Sequence, residues 1–140
     1  MKTNNLDKLN NLKTSSLVLN SLTLAFLGDA VYEILVRDML IQKNPELSAS
    51  KLHFMCVNKV KATAQSKAYD YIKTTLSSKE LEIMKRGRNS DVAHCPKSSN
   101  PIEYHKATGL EALFGYLFLN NNHDRLREIF NNIYDFLENI

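Results

Sequence analysis

The sequence predicts an all-α fold, a bundle of about six helices, from its composition and from the spacing of its apolar residues. Hydrophobic residues make up 44% of the 140 residues, whereas only four glycines and three prolines are present. Such a chain is poor in the turn residues that many short strands would need. Its length fits one domain with a sizeable apolar core, so we interpret residues 1–140 as a single domain. Within it, we expect the polar residues 1–15 to be partly flexible.

The first two predicted helices occupy the N-terminal half of the chain. Apolar residues surround nearly the whole circumference of residues 16–42, which no proline interrupts, and this pattern is typical of a helix buried on most sides. Pro45 ends this helix. A second helix is predicted over residues 49–72, with Ser48 or Ser50 as its N-cap and with a lysine-rich, exposed face.

A capping-box pattern marks the third predicted helix. Ser77 and Glu80 have the spacing of this motif, and the helix that they open stops at Gly87, so the basic residues 85–89 form its exit. Residues 90–101 lack periodicity and contain turn formers, which predicts a loop. The length of this loop suggests that it has a function.

Two more helices are predicted in the C-terminal part of the chain. Residues 103–120 resume a strongly apolar helical pattern, which contains Gly115. From Leu126 to Leu137 the apolar residues recur at intervals of three and four, and Asn122 is a candidate N-cap for this last helix.

Charge, cysteine content and hydropathy limit the classes of function. The net charge of +3 permits an anionic partner without requiring one, and the basic residues concentrate in the middle of the chain. Two distant cysteines, Cys56 and Cys95, suit a reducing compartment. The polar N-terminus lacks the apolar core of a secretory signal, and no segment predicts a membrane span. We therefore expect a cytoplasmic protein with no membrane contact.

A zinc site is not expected. His53 with Cys56, and His94 with Cys95, match none of the common zinc-ligand spacings.

Both apolar helices combine a glycine with a carboxylate. Gly28 precedes Asp29, and Glu111 stands four residues before Gly115. A glycine inside a helix costs roughly 1 kcal/mol relative to alanine, so its presence suggests that another backbone approaches there. If the two helices cross closely at these glycines, Asp29 and Glu111 come near each other.

Two such carboxylates indicate a cation site. A buried carboxylate must be paired, hydrogen-bonded, bound to a cation or protonated. Carboxylates from two helices form an all-oxygen site suited to Mg²⁺, whose bound water can attack a phosphodiester. Spacing alone leaves open a second interpretation, in which Asp29 pairs with Arg37, and Glu111 with Lys106 or His105, as structural ion pairs. For Glu33, one turn after Asp29, a structural pair with Arg37 is the better interpretation.

The motifs in combination resemble a known enzyme family. The segment LAFLGDAVYEILVR, residues 24–37, is similar to the signature helix of the ribonuclease III catalytic domain, and ATGLEALFGYLFL, residues 107–119, is similar to its second acidic motif. KRGRN, residues 85–89, belongs with them. The chain most resembles the Mini-III ribonucleases, a short bacterial branch without a separate double-stranded-RNA-binding domain, and residues 51–69 also resemble the corresponding Mini-III segment.

This resemblance implies a ribonuclease III-like helical bundle and a homodimeric, Mg²⁺-dependent endoribonuclease that cleaves double-stranded RNA. Its implied substrate is precursor 23S ribosomal RNA of the large subunit, with a ribosomal protein or the pre-ribosome as a further candidate partner. By position, Asp29 matches the catalytic aspartate and Glu111 the metal-binding glutamate, so both are assigned to catalysis and to the metal. Mn²⁺ is the expected substitute ion.

Two positions depart from the full ribonuclease III pattern. Ala25 stands where the larger relatives have a glutamate, and Thr108 where they have an aspartate. The Mini-III branch shares this reduced set. It implies weaker metal binding than the full set of carboxylates gives.

Without an appended RNA-binding domain, the RNA must be held by the basic surface of this domain. Side chains cannot read the deep, narrow major groove of A-form RNA, so contacts to phosphates and shape should dominate. The candidate contacts are Lys85, Arg86, Arg88 and Asn89, with Lys97 in the predicted loop and with Lys61 or Lys59 as weaker candidates. A cluster of charges is also typical of a solvated face that binds nothing.

Two other classes of function stay open. The reduced carboxylate set fits a catalytically weak or silent module that only binds structured RNA during ribosome assembly. A helical protein-interaction domain without nucleic acid is favoured only if Asp29 and Glu111 lie far apart.

Overall fold

The structure is a computed structural model that describes residues 19–90 and 95–140. These residues form six α-helices and contain no strand, which confirms the all-α prediction. The helices are α1 (Ser21–Lys43), α2 (Ala49–Val60), α3 (Ala62–Ile72), α4 (Ser78–Arg88), α5 (Pro101–Leu119) and α6 (His123–Glu138). The predicted flexibility of residues 1–15 lies outside the described residues.

Helix α5 is central to the bundle. It packs against α1, α3, α4 and α6, and a helix in this position must be apolar on all sides. Leu110, Leu113 and Phe114 are accordingly inaccessible to solvent. Tyr32 of α1 contacts the ring of Phe114 edge to face, with 5.2 Å between the ring centres, and so joins α1 to this core.

The predicted single helix over residues 49–72 is wrong, because it is broken at Lys61. Lys61 has an extended conformation (φ −62°, ψ 155°) and separates α2 from α3. Apolar residues recur there every four positions, and such a stripe drifts by about 40° per repeat around a helix of 3.6 residues per turn. Because of the break, the apolar residues of the two helices face different partners: α2 packs on α1, while α3 packs on α5 and α6.

The predicted exit at residues 85–89 is also wrong, since α4 continues to Arg88. Gly87 lies inside the helix, where α4 approaches α5 closely: a Cβ added to Gly87 would lie 2.9 Å from the Cα of Gly109. The basic side chains therefore occupy the last turn of a helix, where the helix dipole favours them.

The capping predictions are largely confirmed. Glu80 N–H donates to Ser77 Oγ, and Ser77 N–H donates to Glu80 Oε1, which completes the capping box. Ser48 caps α2, as one of the two candidates. Asn122 precedes α6 but makes no side-chain capping bond.

Helices α1 and α5 begin at other residues than predicted. Helix α1 begins at Ser21 rather than at residue 16, because Asn20 accepts a hydrogen bond from Leu22 N–H. Helix α5 begins at Pro101, two residues early, because Asn100 caps it and proline fits a first helical position. Of the predicted loop, Ser90 and residues 95–100 are described and are not helical, whereas Pro101 already belongs to α5.

Candidate active site

Helices α1 and α5 cross at two glycines. A Cβ added to Gly28 would overlap the carbonyl oxygen of Glu111 and would lie 2.9 Å from the backbone nitrogen of Gly115. A Cβ added to Gly115 would overlap the carbonyl oxygen of Leu24. Only glycine allows backbones to approach this closely, so the predicted crossing is confirmed.

The crossing brings Asp29 and Glu111 together. Both line one open cleft of about 270 Å³ between α1, α5 and the junction of α2 and α3. The other lining residues are Val60, Ala62, Gln65, Tyr104, Ala107 and Thr108. Asp29 is exposed, whereas Glu111 is partly buried. The condition that favoured a protein-interaction domain, a large separation of the two carboxylates, is therefore not met.

The two carboxylates interact strongly. Burial, then the charge of Asp29 and a hydrogen bond with it, raise the pKa of Glu111 to about 9. At neutral pH and without a cation, the Glu111 carboxyl therefore keeps a proton. A divalent cation between the two groups would remove the repulsion that keeps the proton there.

The alternative of structural ion pairs is wrong for the described residues. Arg37 donates instead to Glu33, with an Nη2 to Oε1 distance of 2.8 Å, as predicted for that pair. Lys106 donates to Asp70 at 3.0 Å, and the buried Nδ1 of His105 has no hydrogen-bond partner. Within residues 19–90 and 95–140, no base forms an ion pair with Asp29 or Glu111, so both carboxylates are available to a cation.

Of the two departures from the four-carboxylate pattern, only Thr108 lines this cleft. The Thr108 hydroxyl donates to the carbonyl oxygen of Tyr104 at 3.0 Å. Ala25 is buried with Ile83 and Ala112 in a small apolar cluster. Across the described residues, no group of three or more His, Cys, Asp or Glu side chains is placed to hold a metal. The carboxylates of this cleft are therefore two.

Sequence reasoning missed Gln65, which the break at Lys61 brings to the cleft. Gln65 is 4% exposed, and its Nε2 donates to the carbonyl oxygen of Val60 at 2.8 Å. Its Oε1 is buried and has no hydrogen-bond partner. No glycine or proline marks the break, so the sequence offers no signal that would have found this residue.

The residues that are predicted to contact RNA lie in separate parts of the structure. Lys85, Arg86 and Asn89 line a broad, open depression of about 730 Å³ together with Ser21 at the start of α1. Arg88 is partly buried, and its guanidinium lies 5.8 Å from the centre of the Tyr69 ring.

The remaining candidates differ in their surroundings. Lys97 is exposed in the segment before α5. Lys61 is exposed between Val60 and Ala62, two residues that line the cleft. Lys59 forms an ion pair with Glu138 at 3.2 Å, which gives it a structural role.

Of the residues weighed as zinc ligands, His53 and Cys56 lie together at the contact of α1 and α2. Cys56 is buried, and the two residues line a small groove there. His94 lies outside the described residues.

Helix α1 also carries apolar side chains on its outer side. Phe26 is 83% exposed and Ile34 is 65% exposed, and Leu22 and Ile41 are exposed on the same side. The part of the chain that the structure describes includes no helix with the length and hydropathy needed to cross a membrane.

Comparisons with known proteins agree on one family. A family model described as "Ribonuclease III domain" matches residues 22–122, a range that includes Asp29 and Glu111. The chain is 40% identical over 122 residues to a Mini-ribonuclease 3 of Symbiobacterium thermophilum, covering 87% of this chain and 93% of the relative.

Two further proteins give the same result. The chain is 42% identical over 111 residues to a Mini-ribonuclease 3 of Clostridium tetani, covering 79% of this chain and 74% of that protein. A crystal structure of a Fusobacterium nucleatum protein matches the fold with a TM-score of 0.74 at 33% identity. This match covers 81% of the present chain and 92% of the other.

Proposed function

Because the chain belongs to the ribonuclease III family and is therefore an endoribonuclease, we propose that it cleaves double-stranded RNA with Mg²⁺ held by Asp29 and Glu111. One observation carries this proposal: both carboxylates line one cleft, and no described base forms an ion pair with either. Mn²⁺ is the proposed substitute ion, since it prefers the same oxygen ligands. Residues 1–140 form a single catalytic domain in this proposal.

Each carboxylate has its own task in the reaction. When bound, Mg²⁺ supplies a water of lowered pKa for attack on phosphorus and neutralises charge on the phosphodiester. Asp29 is exposed and presents its carboxylate to the ion and to the substrate. Glu111 is partly buried and would hold the ion as a carboxylate, with its proton released to solvent. The Gly28–Gly115 crossing holds the two helices at a fixed separation, so the cleft is formed before RNA binds.

We propose that the enzyme acts as a homodimer. The exposed apolar side of α1, with Phe26 as its most exposed member, supports a contact between two copies of the chain. A dimer would place two clefts on one RNA duplex, so that each cuts one strand. It would also double the basic surface available to the RNA.

The proposed RNA surface combines two regions. Lys85, Arg86 and Asn89, with Arg88 beside them, contact phosphates along the depression next to α4. Lys61, which lies between two residues that line the cleft, and Lys97, in the segment before α5, contact the RNA backbone outside this depression. Most of these side chains are exposed, which supports contacts to phosphate rather than to bases.

We propose precursor 23S ribosomal RNA as the substrate, in the cytoplasm, with a ribosomal protein or the pre-ribosome as a further partner. The identity with the Mini-ribonuclease 3 relatives over most of the chain supports this assignment.

The test compares the wild-type protein with Asp29→Asn on a duplex RNA, with and without Mg²⁺. We expect cleavage only by the wild type and only with Mg²⁺, while both proteins bind the RNA. Cleavage by the variant at the wild-type rate would contradict the role of Asp29.

The reduced carboxylate set favours one alternative function, a module that binds structured RNA without cutting it. The cleft has two carboxylates where the full pattern has four, because Ala25 and Thr108 lack a charge. The same experiment separates the two functions. Wild-type protein that binds the duplex tightly and leaves it intact in Mg²⁺ would be a binding module.

A further inference from the structure

Gln65 is a buried side chain whose hydrogen-bonding groups are not all used within the described residues. It lies in the first turn of α3, lines the cleft of Asp29 and Glu111, and is 4% exposed. Within the described residues, its Oε1 accepts no hydrogen bond. Buried polar atoms of this kind are nearly always hydrogen-bonded in folded proteins.

The direction of the amide group is fixed by the helix break. Gln65 Nε2 donates to the carbonyl oxygen of Val60 at 2.8 Å, which the end of α2 leaves without a helical partner. The backbone N–H of Gln65 donates to the carbonyl oxygen of Lys61 at 3.0 Å. Because the amide nitrogen is held in this way, the oxygen is the atom that is left as an acceptor.

Other buried polar atoms without a partner do not share this position. The hydroxyl groups of Tyr32 and Tyr69 and the Nδ1 of His105 are buried and unpaired, but none of these residues lines the cleft. Thr108 lines the cleft, but its hydroxyl already donates to Tyr104. Gln65 therefore combines a free acceptor with a place beside the two carboxylates.

We propose that Gln65 is a third polar group of the metal centre, whose Oε1 accepts a hydrogen bond from a water carried by the divalent cation. This assignment rests on the proposed function and deepens it. Mg²⁺ keeps several waters when it binds few protein ligands, and groups that hold such waters orient the ion. A neutral acceptor serves this purpose without adding a third charge to the pair, and it compensates in part for the two carboxylates absent at Ala25 and Thr108.

The test measures binding of Mn²⁺ to the full chain without RNA, from the electron paramagnetic resonance signal of the free ion. The variants are Gln65→Met, which removes the acceptor, and Gln65→Glu, which keeps an oxygen there. Both variants lose the donor to Val60, so that hydrogen bond cannot account for a difference between them. Gln42→Met is the matched control, because the chain's other glutamine is exposed at the end of α1.

We expect Gln65→Met to weaken Mn²⁺ binding about tenfold, which is the lower end of the effect of such groups. Gln65→Glu should bind Mn²⁺ at least as tightly as the wild type, and Gln42→Met should bind it equally. If Gln65→Met does not fold, as judged by its circular dichroism, the comparison of Gln65→Glu with the wild type decides alone.

Two results would overturn the assignment. Gln65→Met that binds Mn²⁺ like the wild type would show that the oxygen has no role at the ion. Gln65→Glu that binds more weakly than the wild type would show that Gln65 acts only through Val60. Asp29→Asn separates the two proposals: wild-type protein that binds Mn²⁺ no better than this variant would overturn the proposed function itself, and the assignment of Gln65 with it.

Discussion

Glu111 shows how one residue in the cleft is prepared for a cation. Its carboxyl is partly buried beside Asp29, so the protonated form is stabilised until a positive charge arrives. Asp29 and Glu111 are neighbours only because residue 28 is a glycine. At that position any larger residue would place its Cβ on the backbone of Glu111. A glycine and an acid therefore act together on each helix.

The close crossing predicts a severe effect of Gly28→Ala. The added methyl overlaps the carbonyl oxygen of Glu111, so α1 and α5 must separate. We expect a loss of about 3 kcal/mol in the free energy of unfolding, as is typical of overpacking, and a reduced cleavage rate. Urea unfolding measures the first effect, with Thr23→Ala on the exposed side of α1 as the control. Equal stability of Gly28→Ala and the wild type would contradict the crossing.

At the scale of elements, α4 is joined to α6 through one buried carboxylate. Glu80 accepts two hydrogen bonds from Arg125, each at 2.9 Å, and one from its own capping box. These hydrogen bonds hold the pKa of Glu80 below its usual value of 4.5, and those with Arg125 have the largest effect. The pKa of Glu80 is lower in the folded state than in the unfolded state. The bonds of its carboxylate therefore stabilise the fold fully when the pH is above the unfolded pKa, and this stabilisation is lost as the pH falls through the folded pKa.

The lowered pKa of Glu80 predicts how the effect of Glu80→Gln on stability depends on pH. We expect the variant to be less stable than the wild type by about 1–2 kcal/mol at pH 7, because hydrogen bonds to a charged group are replaced by neutral ones. The difference should shrink as the pH falls below the usual value of 4.5 and through the lower folded pKa. Urea unfolding across this range measures it, with Glu82→Gln, an exposed neighbour on the same helix, as the control. A difference that is constant with pH would rule out the linkage.

The last turn of α4 predicts the salt dependence of RNA binding. Lys85→Ala with Arg86→Ala removes two exposed charges from the depression, whereas Arg88 is held against Tyr69. We expect weaker binding and a slope of log K against log salt that is flatter by about one unit for each lost phosphate contact. Binding is measured with the Asp29→Asn background so that the RNA is not cut. Lys79→Ala, at the other end of α4, is the control, and an unchanged slope would refute the assignment of this surface.

At the scale of the whole molecule, the exposed side of α1 predicts the oligomeric state. Phe26 is 83% exposed and Phe54, on α2, is 70% exposed, so neither is needed for the fold of one chain. We expect Phe26→Glu to convert the proposed dimer to a monomer in analytical ultracentrifugation, because a charge would be buried in the contact. Phe54→Glu is the matched control and should stay dimeric. A wild-type monomer, or a dimer unaffected by Phe26→Glu, would contradict the proposal.

Much of this architecture could be predicted from the sequence because it depends on local signals. The crossing of Gly28 and Gly115 could be inferred because a glycine inside an apolar helix weakens that helix, a cost that the close approach of a second backbone offsets. The break at Lys61 could not be predicted, since no glycine or proline marks it and the stripe every four residues also fits a continuous helix. Gln65 was missed for the same reason, because its place in the cleft depends on that break.

The central claim is that Asp29 and Glu111 hold the ion that drives cleavage, and Glu111→Gln tests it most directly. The variant keeps the shape of the side chain and removes its charge, and Glu128→Gln on the exposed side of α6 is the matched control. The measurement is the single-turnover cleavage rate of a duplex RNA in Mg²⁺, with RNA affinity determined in parallel. We predict a rate about a thousandfold lower for Glu111→Gln, equivalent to about 4 kcal/mol, with RNA affinity and the control rate unchanged. Cleavage by Glu111→Gln at the wild-type rate would contradict the claim.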